Sequence, residues 1–127
     1  MAHLILQYSC ELEKKYNFQD LVNNLRKVMV ETTLFPVGGI RVRALPTQIN
    51  SIADGDSLNV YVDLVLRMGS GRTLSDKQKI GKDLMKFLEF YFKNEIKEEY
   101  FALSLEIIDI NPSLSWKLNT IHSRLKK

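Results

Sequence analysis

The stretch Ser57-Leu58-Asn59-Val60-Tyr61-Val62-Asp63-Leu64-Val65-Leu66-Arg67-Met68 decides the fold. Leu58, Val60, Val62, Leu64, Leu66 and Met68 alternate onto one face. Asn59, Tyr61, Asp63 and Arg67 take the other, with Val65 among them. A period of two sustained over this length predicts a strand with one buried face. Gly69-Ser70-Gly71-Arg72 then reads as a tight turn. Ser75 is placed to cap a helix, with Gln78 in the capping-box position. That helix is expected to run to about Ile96, with Ile80, Leu84, Phe87, Leu88 and Tyr91 as its inner stripe. Phe101–Ile108 follows as a strand with Phe101, Leu103, Leu105 and Ile107 on one face. Ser104 and Glu106 interrupt its other face and are expected to satisfy partners in the core or an interface. The unit is strand, helix, strand, and the crossover makes its two strands parallel.

The first half of the chain repeats this order. His3–Ser9 reads as a strand with Leu4, Leu6 and Tyr8 on one side, and Cys10–Tyr16 as a polar loop. Asn17, with Asp20 three residues on, is placed to cap a helix. Phe18, Leu21, Val22, Leu25, Val28 and Met29 recur there at helical spacing. Gly38-Gly39 makes a turn, and Ile40–Leu45 is a strand closed by Pro46, with Arg41 and Arg43 on one face. Thr47–Asp56 reads as a long connection and Trp116–Leu125 as a short terminal helix in which Trp116 packs. The expected architecture is α/β, of the α+β two-layer kind. Two βαβ units form a four-stranded sheet with two helices on one face, in one domain spanning residues 1–127. The uncovered sheet face, mixing Ile5, Tyr61 and Val65 with polar neighbours, predicts a subunit interface.

Composition excludes several classes. Eighteen basic residues stand against fifteen acidic ones, for a net charge of +3, and many basic residues sit beside acids. A nucleic-acid binder would cluster its cations on one face, so no nucleic-acid partner is expected. No apolar run approaches the roughly 18 residues of a membrane helix, and the start lacks a signal-peptide pattern. A soluble cytoplasmic protein is the expectation. Cys10 is the sole cysteine and the histidines are two, His3 and His122, so no ligand cluster with metal spacing is present.

The ordered set of segments resembles the 5-carboxymethyl-2-hydroxymuconate isomerases of the tautomerase superfamily. The set runs from Met1-Ala2-His3 through Phe35-Pro36, Gly39-Ile40-Arg41-Val42-Arg43, Ala53-Asp54-Gly55 and Gly69-Ser70-Gly71-Arg72 with Leu74. It continues through Ala102-Leu103-Ser104-Leu105-Glu106-Ile107 to Asn111-Pro112-Ser113-Leu114 and Asn119-Thr120-Ile121-His122. No single piece is specific; the order and spacing are. The resemblance implies a homotrimer whose assembly covers the open sheet face. It also implies an isomerase (an enol–keto tautomerase) that moves a proton within an unsaturated, carboxylated 2-hydroxy or 2-oxo acid. It implies no metal and no cofactor.

In that family the base is the amine of an N-terminal proline. Ala2 occupies its position here. An α-amine titrates near 8 and is moved lower by burial and cations, which suits proton transfer at neutral pH. If Met1 is removed, Ala2 presents a primary amine with less fixed geometry than a pyrrolidine ring. If Met1 stays, the Ala2 nitrogen is an amide, and Ala2 simply begins the first strand. Arg41 and Arg72 match the family arginines, whose planar forks can hold a carboxylate and stabilise enolate charge. Either could instead make a surface or intersubunit ion pair. Arg43 and Phe35 are further candidates for substrate binding, with packing roles as the alternative. His3 and His122 read as structural histidines. The rival reading is a non-catalytic trimer that binds a carboxylated metabolite in an arginine-lined pocket.

Overall fold

The computed structural model describes residues 1–126. Four strands, β1 (Ala2–Ser9), β2 (Ile40–Thr47), β3 (Val60–Gly69) and β4 (Phe101–Ile110), form one sheet in the order β2-β1-β3-β4. β1 pairs parallel with β2 and β3 parallel with β4, as the two crossovers require. The units meet through an antiparallel β1–β3 pairing, with Leu4 opposite Leu66 and Leu6 opposite Leu64. Two helices, α1 (Phe18–Glu31) and α2 (Leu74–Tyr91), carry the crossovers. The short helices α3 (Lys93–Lys97) and α4 (Thr120–Leu125) follow them in the second half.

The core lies between the helices and one sheet face. Leu4 and Leu6 of β1, Leu64 and Leu66 of β3, Leu21 and Leu25 of α1, and Leu84 and Leu88 of α2 are fully buried. Each such side chain stabilises the fold by roughly 1.5–3 kcal/mol relative to exposure. Phe92 closes one end, meeting Tyr16 edge-on at 4.9 Å and Phe101 at 5.2 Å between ring centroids. Glu95 is buried beside this cluster, and Lys15 Nζ donates to its Oε1 at 3.0 Å. The opposite face carries Arg41, Arg43, His3, Ile5, Val65 and Glu106, none of them fully buried.

Several boundaries differ from the sequence expectation, each for a physical reason. Asn17 caps α1 as predicted, its side chain accepting from the Asp20 N–H at 3.1 Å. The cap of α2 is Thr73 rather than Ser75, and it accepts from the Asp76 N–H at 3.1 Å. Two overlapping Ser/Thr-x-x-polar patterns compete there, and the upstream one takes the cap. The helix does not run to Ile96 unbroken: Phe92 leaves helical geometry and α3 restarts at Lys93. Pro46 does not end β2, because β2 is an edge strand with one side free of ladder bonds. Cys10–Lys14 is a 3-10 helix rather than a loop, and it buries Leu12. Ser104 and Glu106 are exposed, and the Ser104 hydroxyl donates to Asp63 across the open face at 2.6 Å. Trp116 does not pack the C-terminal segment: it is 84% exposed, and the terminal helix starts only at Thr120.

Candidate functional site

The site forms at the end of the sheet where β1 begins. Ala2 is fully buried as the first residue of β1, opposite Ile40 on one side and Met68 on the other. Met1 therefore projects past the sheet end, and its carbonyl accepts from the Gly69 N–H at 3.0 Å. Two glycines leave the space beside Met1 open. A Cβ on Gly39 would lie 3.4 Å from Met1 Cα, and one on Gly69 would lie 4.0 Å from the Met1 amine. Gly71 serves the turn differently, through a φ of +100° that a side chain would strain.

Two cavities flank Met1. One, of about 260 Å³, is lined by Gly69, Ser70, Ile110, Pro112, Ser115 and Lys117 besides Met1. The other, of about 300 Å³, is lined by Pro36, Gly39, Lys117, Leu118, Asn119 and His122 besides Met1. A larger cavity, of about 450 Å³, lies elsewhere, in an apolar groove between α2 and β4 that includes Met85, Leu105 and Ile107. It holds none of the residues around Met1.

The Met1 amine is held below its ordinary pKa. Burial is the main cause, followed by the charges of Lys117, Arg72 and Arg41. Desolvation and like charge both disfavour the ammonium form. Three cations, from β2, the β3–α2 turn and the C-terminal segment, thus favour the neutral, basic form of this nitrogen.

Arg72 is fixed in place. Its Nε and one terminal nitrogen donate to the Leu34 carbonyl at 3.1 and 2.8 Å, and the other terminal nitrogen donates to the Gly69 carbonyl at 2.9 Å. The guanidinium also lies over the Phe35 ring, 4.9 Å from its centroid. Of the five N–H groups a guanidinium carries, these three bonds leave two for a ligand. Phe35 is buried under Arg72 and does not line either Met1 cavity. Arg41 lies in β2 with a long, 3.5 Å contact to the Gly39 carbonyl. Arg43 stands further along the strand, with its guanidinium 3.2 Å from His3 Nδ1. The structure thus sets Arg41 and Arg72 near the amine that precedes Ala2, places Phe35 behind Arg72, and leaves Arg43 further along β2; none of the three arginines lines either cavity.

His3 faces Arg41 and Arg67 across the strands on the open sheet face. Its pKa falls to about 4, first through burial and then through Arg67, Arg43 and Arg41. It is neutral at pH 7. His122 lines one Met1 cavity, and its backbone is why residue 38 is glycine: a Cβ there would come within 2.6 Å of His122 Cα. The Asn119 amide donates to the Gly38 carbonyl at 2.8 Å and locks the C-terminal segment onto the site.

Among the described residues, no group of three or more His, Cys, Asp or Glu side chains could hold a metal ion. No described helix is long and apolar enough to cross a membrane.

A model of the 5-carboxymethyl-2-hydroxymuconate isomerase family matches residues 2–125. The chain belongs to that family. It is 29% identical to 5-carboxymethyl-2-hydroxymuconate Delta-isomerase of Escherichia coli over 126 residues, covering 99% of this chain and 100% of that protein. Its fold superposes on a 5-carboxymethyl-2-hydroxymuconate isomerase from Deinococcus radiodurans R1 with a TM-score of 0.92 at 33% identity, covering 99% of this chain and 95% of the other. A fused 4-OT protein described as a symmetric trimer shares the fold at a TM-score of 0.67 and 17% identity, over 91% of this chain and 93% of that one. The tautomerase fold expected from the sequence is the fold of this family member, and its activity class is that of an isomerase.

One participant escaped the reading of the sequence. Lys117 sits in an unremarkable mixed stretch, Ser115-Trp116-Lys117-Leu118. No periodicity or motif of residue types marks it. Only the return of the C-terminal segment over Gly38 and Gly39 brings it to the N-terminus.

Proposed function

We propose that this family member is a homotrimeric enol–keto tautomerase whose base is its N-terminal amine. Its substrate class is an unsaturated, polycarboxylated 2-hydroxy acid such as 5-carboxymethyl-2-hydroxymuconate. The observation that carries the reading is a depressed amine standing among Lys117, Arg72 and Arg41 with open space on both sides. The neutral amine takes the proton of the enol hydroxyl. The C–O bond becomes a carbonyl, electrons move along the conjugated chain, and the ammonium returns its proton to the distal carbon. The amine is then regenerated, and no atom is gained or lost. Arg41 and Arg72 hold carboxylate and offset the enolate charge, at sites where removal of one such donor costs on the order of 10²–10³ in rate. Arg43 and Phe35 act indirectly, Phe35 as the platform for the Arg72 guanidinium.

The substitution of alanine for the family proline lowers this activity. With Met1 removed, the base is the primary amine of Ala2, one residue (about 3.8 Å) deeper along the strand than the Met1 amine. With Met1 retained, the amine of Met1 itself occupies the mouth of the site. A misplacement of about 1 Å can cost on the order of 10²-fold in rate, so the two forms differ strongly. The trimer is supported by the half-apolar sheet face left open in one chain and by relatives of this fold described as trimers.

The test is ketonisation of 2-hydroxymuconate by the Met1-retained form, the Met1-processed form and processed Ala2→Pro. The expected order of kcat/KM is Ala2→Pro first, processed wild type second, retained form last. An Ala2→Pro enzyme no faster than the uncatalysed reaction would overturn the isomerase reading and leave the anion-binding trimer as the alternative.

A further inference from the structure

We propose that Lys117 is a substrate-binding residue that receives the additional carboxylate of a tricarboxylated substrate and so selects it over a dicarboxylated one. The proposal rests on the tautomerase reading above and deepens it.

Lys117 lines both cavities beside Met1, and it is the one Lys or Arg to do so among the described residues. Neither Arg41 nor Arg72 lines either cavity directly; both act from behind glycines 39 and 69. Lys117 makes no ion pair or side-chain hydrogen bond among the described residues. By contrast Lys15, Lys77 and Lys79 each hold a carboxylate at 3.0 Å or less. An unpaired ammonium facing cavities that no carboxylate lines is a site for an anion, because nothing in their walls offsets its charge.

The charge count of the substrate agrees. A muconate carries two carboxylates, and a 5-carboxymethyl group adds a third. The site offers three positive side chains, Arg41, Arg72 and Lys117. Their chemistry divides the work. Arg72 is locked by two backbone carbonyls and suits a planar, oriented carboxylate near the reacting atoms. Lys117 is exposed on a flexible stem and suits a carboxylate on a pendant, rotatable arm.

The experiment compares 5-carboxymethyl-2-hydroxymuconate with 2-hydroxymuconate on wild type, Lys117→Met and Lys117→Arg. Lys117 is at the surface, so both variants keep the fold. Loss of one charge-assisted contact predicts a fall of about 10–100-fold in kcat/KM on the tricarboxylate for Lys117→Met, mostly in KM. On the dicarboxylate, with both enzymes compared above the acidic limb of their rate profiles so that the amine is neutral in each, the change is within about 3-fold, and Lys117→Arg in place of Lys117→Met keeps most of the tricarboxylate rate. The acidic limb of the rate profile moves to higher pH in Lys117→Met, since a cation beside the amine is gone. Equal losses on both acids, or no loss on either, would overturn the proposal. If wild type turns over neither acid, the tautomerase reading fails by itself. Calorimetry with tricarballylate, a saturated tricarboxylate, then decides for Lys117. Weaker binding by Lys117→Met upholds it, and equal binding or none overturns it.

Discussion

The two faces of the sheet are built from the same strands and behave as different materials. Leu64 and Val65 are neighbours in β3. Leu64 is fully buried beneath the helices, while Val65 lies on the open face between Ile5 and Glu106. The helix side is a closed apolar layer that one chain completes. The open side mixes Ile5 and Val65 with Arg41, Arg43, His3 and Arg67, and one chain leaves it unfinished. The difference shows that the fold and the assembly are separable problems, written on alternate residues of the same strands.

That contrast can be broken in three ways. Leu64→Ala has the largest expected effect, a loss of about 2–5 kcal/mol in chemical denaturation, because it leaves a cavity in a closed core. A loss within 0.5 kcal/mol would mean the helix face is not the main source of stability. Val65→Asp, one residue away, is expected to leave the secondary structure intact and to separate the proposed trimer. Sedimentation would show a monomer, and the melting temperature would no longer depend on protein concentration. A trimer unchanged by this substitution would remove the open face from the interface. The smallest effect is expected from His3→Gln. The folded-state pKa of His3 is depressed to about 4 from an ordinary 6.5. Between those values the unfolded chain binds the proton and the folded one does not, so stability falls as pH drops from about 6.5 towards 4. His3→Gln should flatten that part of the profile of melting temperature against pH. Burial sets it first, followed by the charges of Arg67 of β3, Arg43 and Arg41 of β2 and the N-terminal amine.

Much of the architecture was legible in the residues because it is local. The alternation through Val60–Met68, the Asn17 cap and the helical stripes each report on neighbours within a few positions, whereas Leu58, expected on the inner face, lies exposed ahead of β3. The errors were also local, where two signals overlapped. Thr73 and Ser75 both offered a cap, and Pro46 looked like a stop until β2 proved to be an edge strand. The candidate site was legible only in part. Ala2, Arg41 and Arg72 came from resemblance to a family rather than from their own spacing. Lys117 had no signal of its own, and the support that Leu34 and Phe35 give Arg72 depends on a backbone carbonyl and a ring face, which residue identity does not announce.

The sequence by itself determined the order of strands and helices, the side of each strand that turns inward, and the alanine at the head of β1. These follow from hydrophobic periodicity and from which atom the first strand carries at its end. Only the tertiary structure decided what surrounds that end. Its three cations lie at positions 41, 72 and 117, far apart in the chain. The sheet order β2-β1-β3-β4 puts β1 between the first two, and the Asn119–Gly38 bond carries the third across. An amine is made a useful base by charges that reach it through space, and their distances are set by packing.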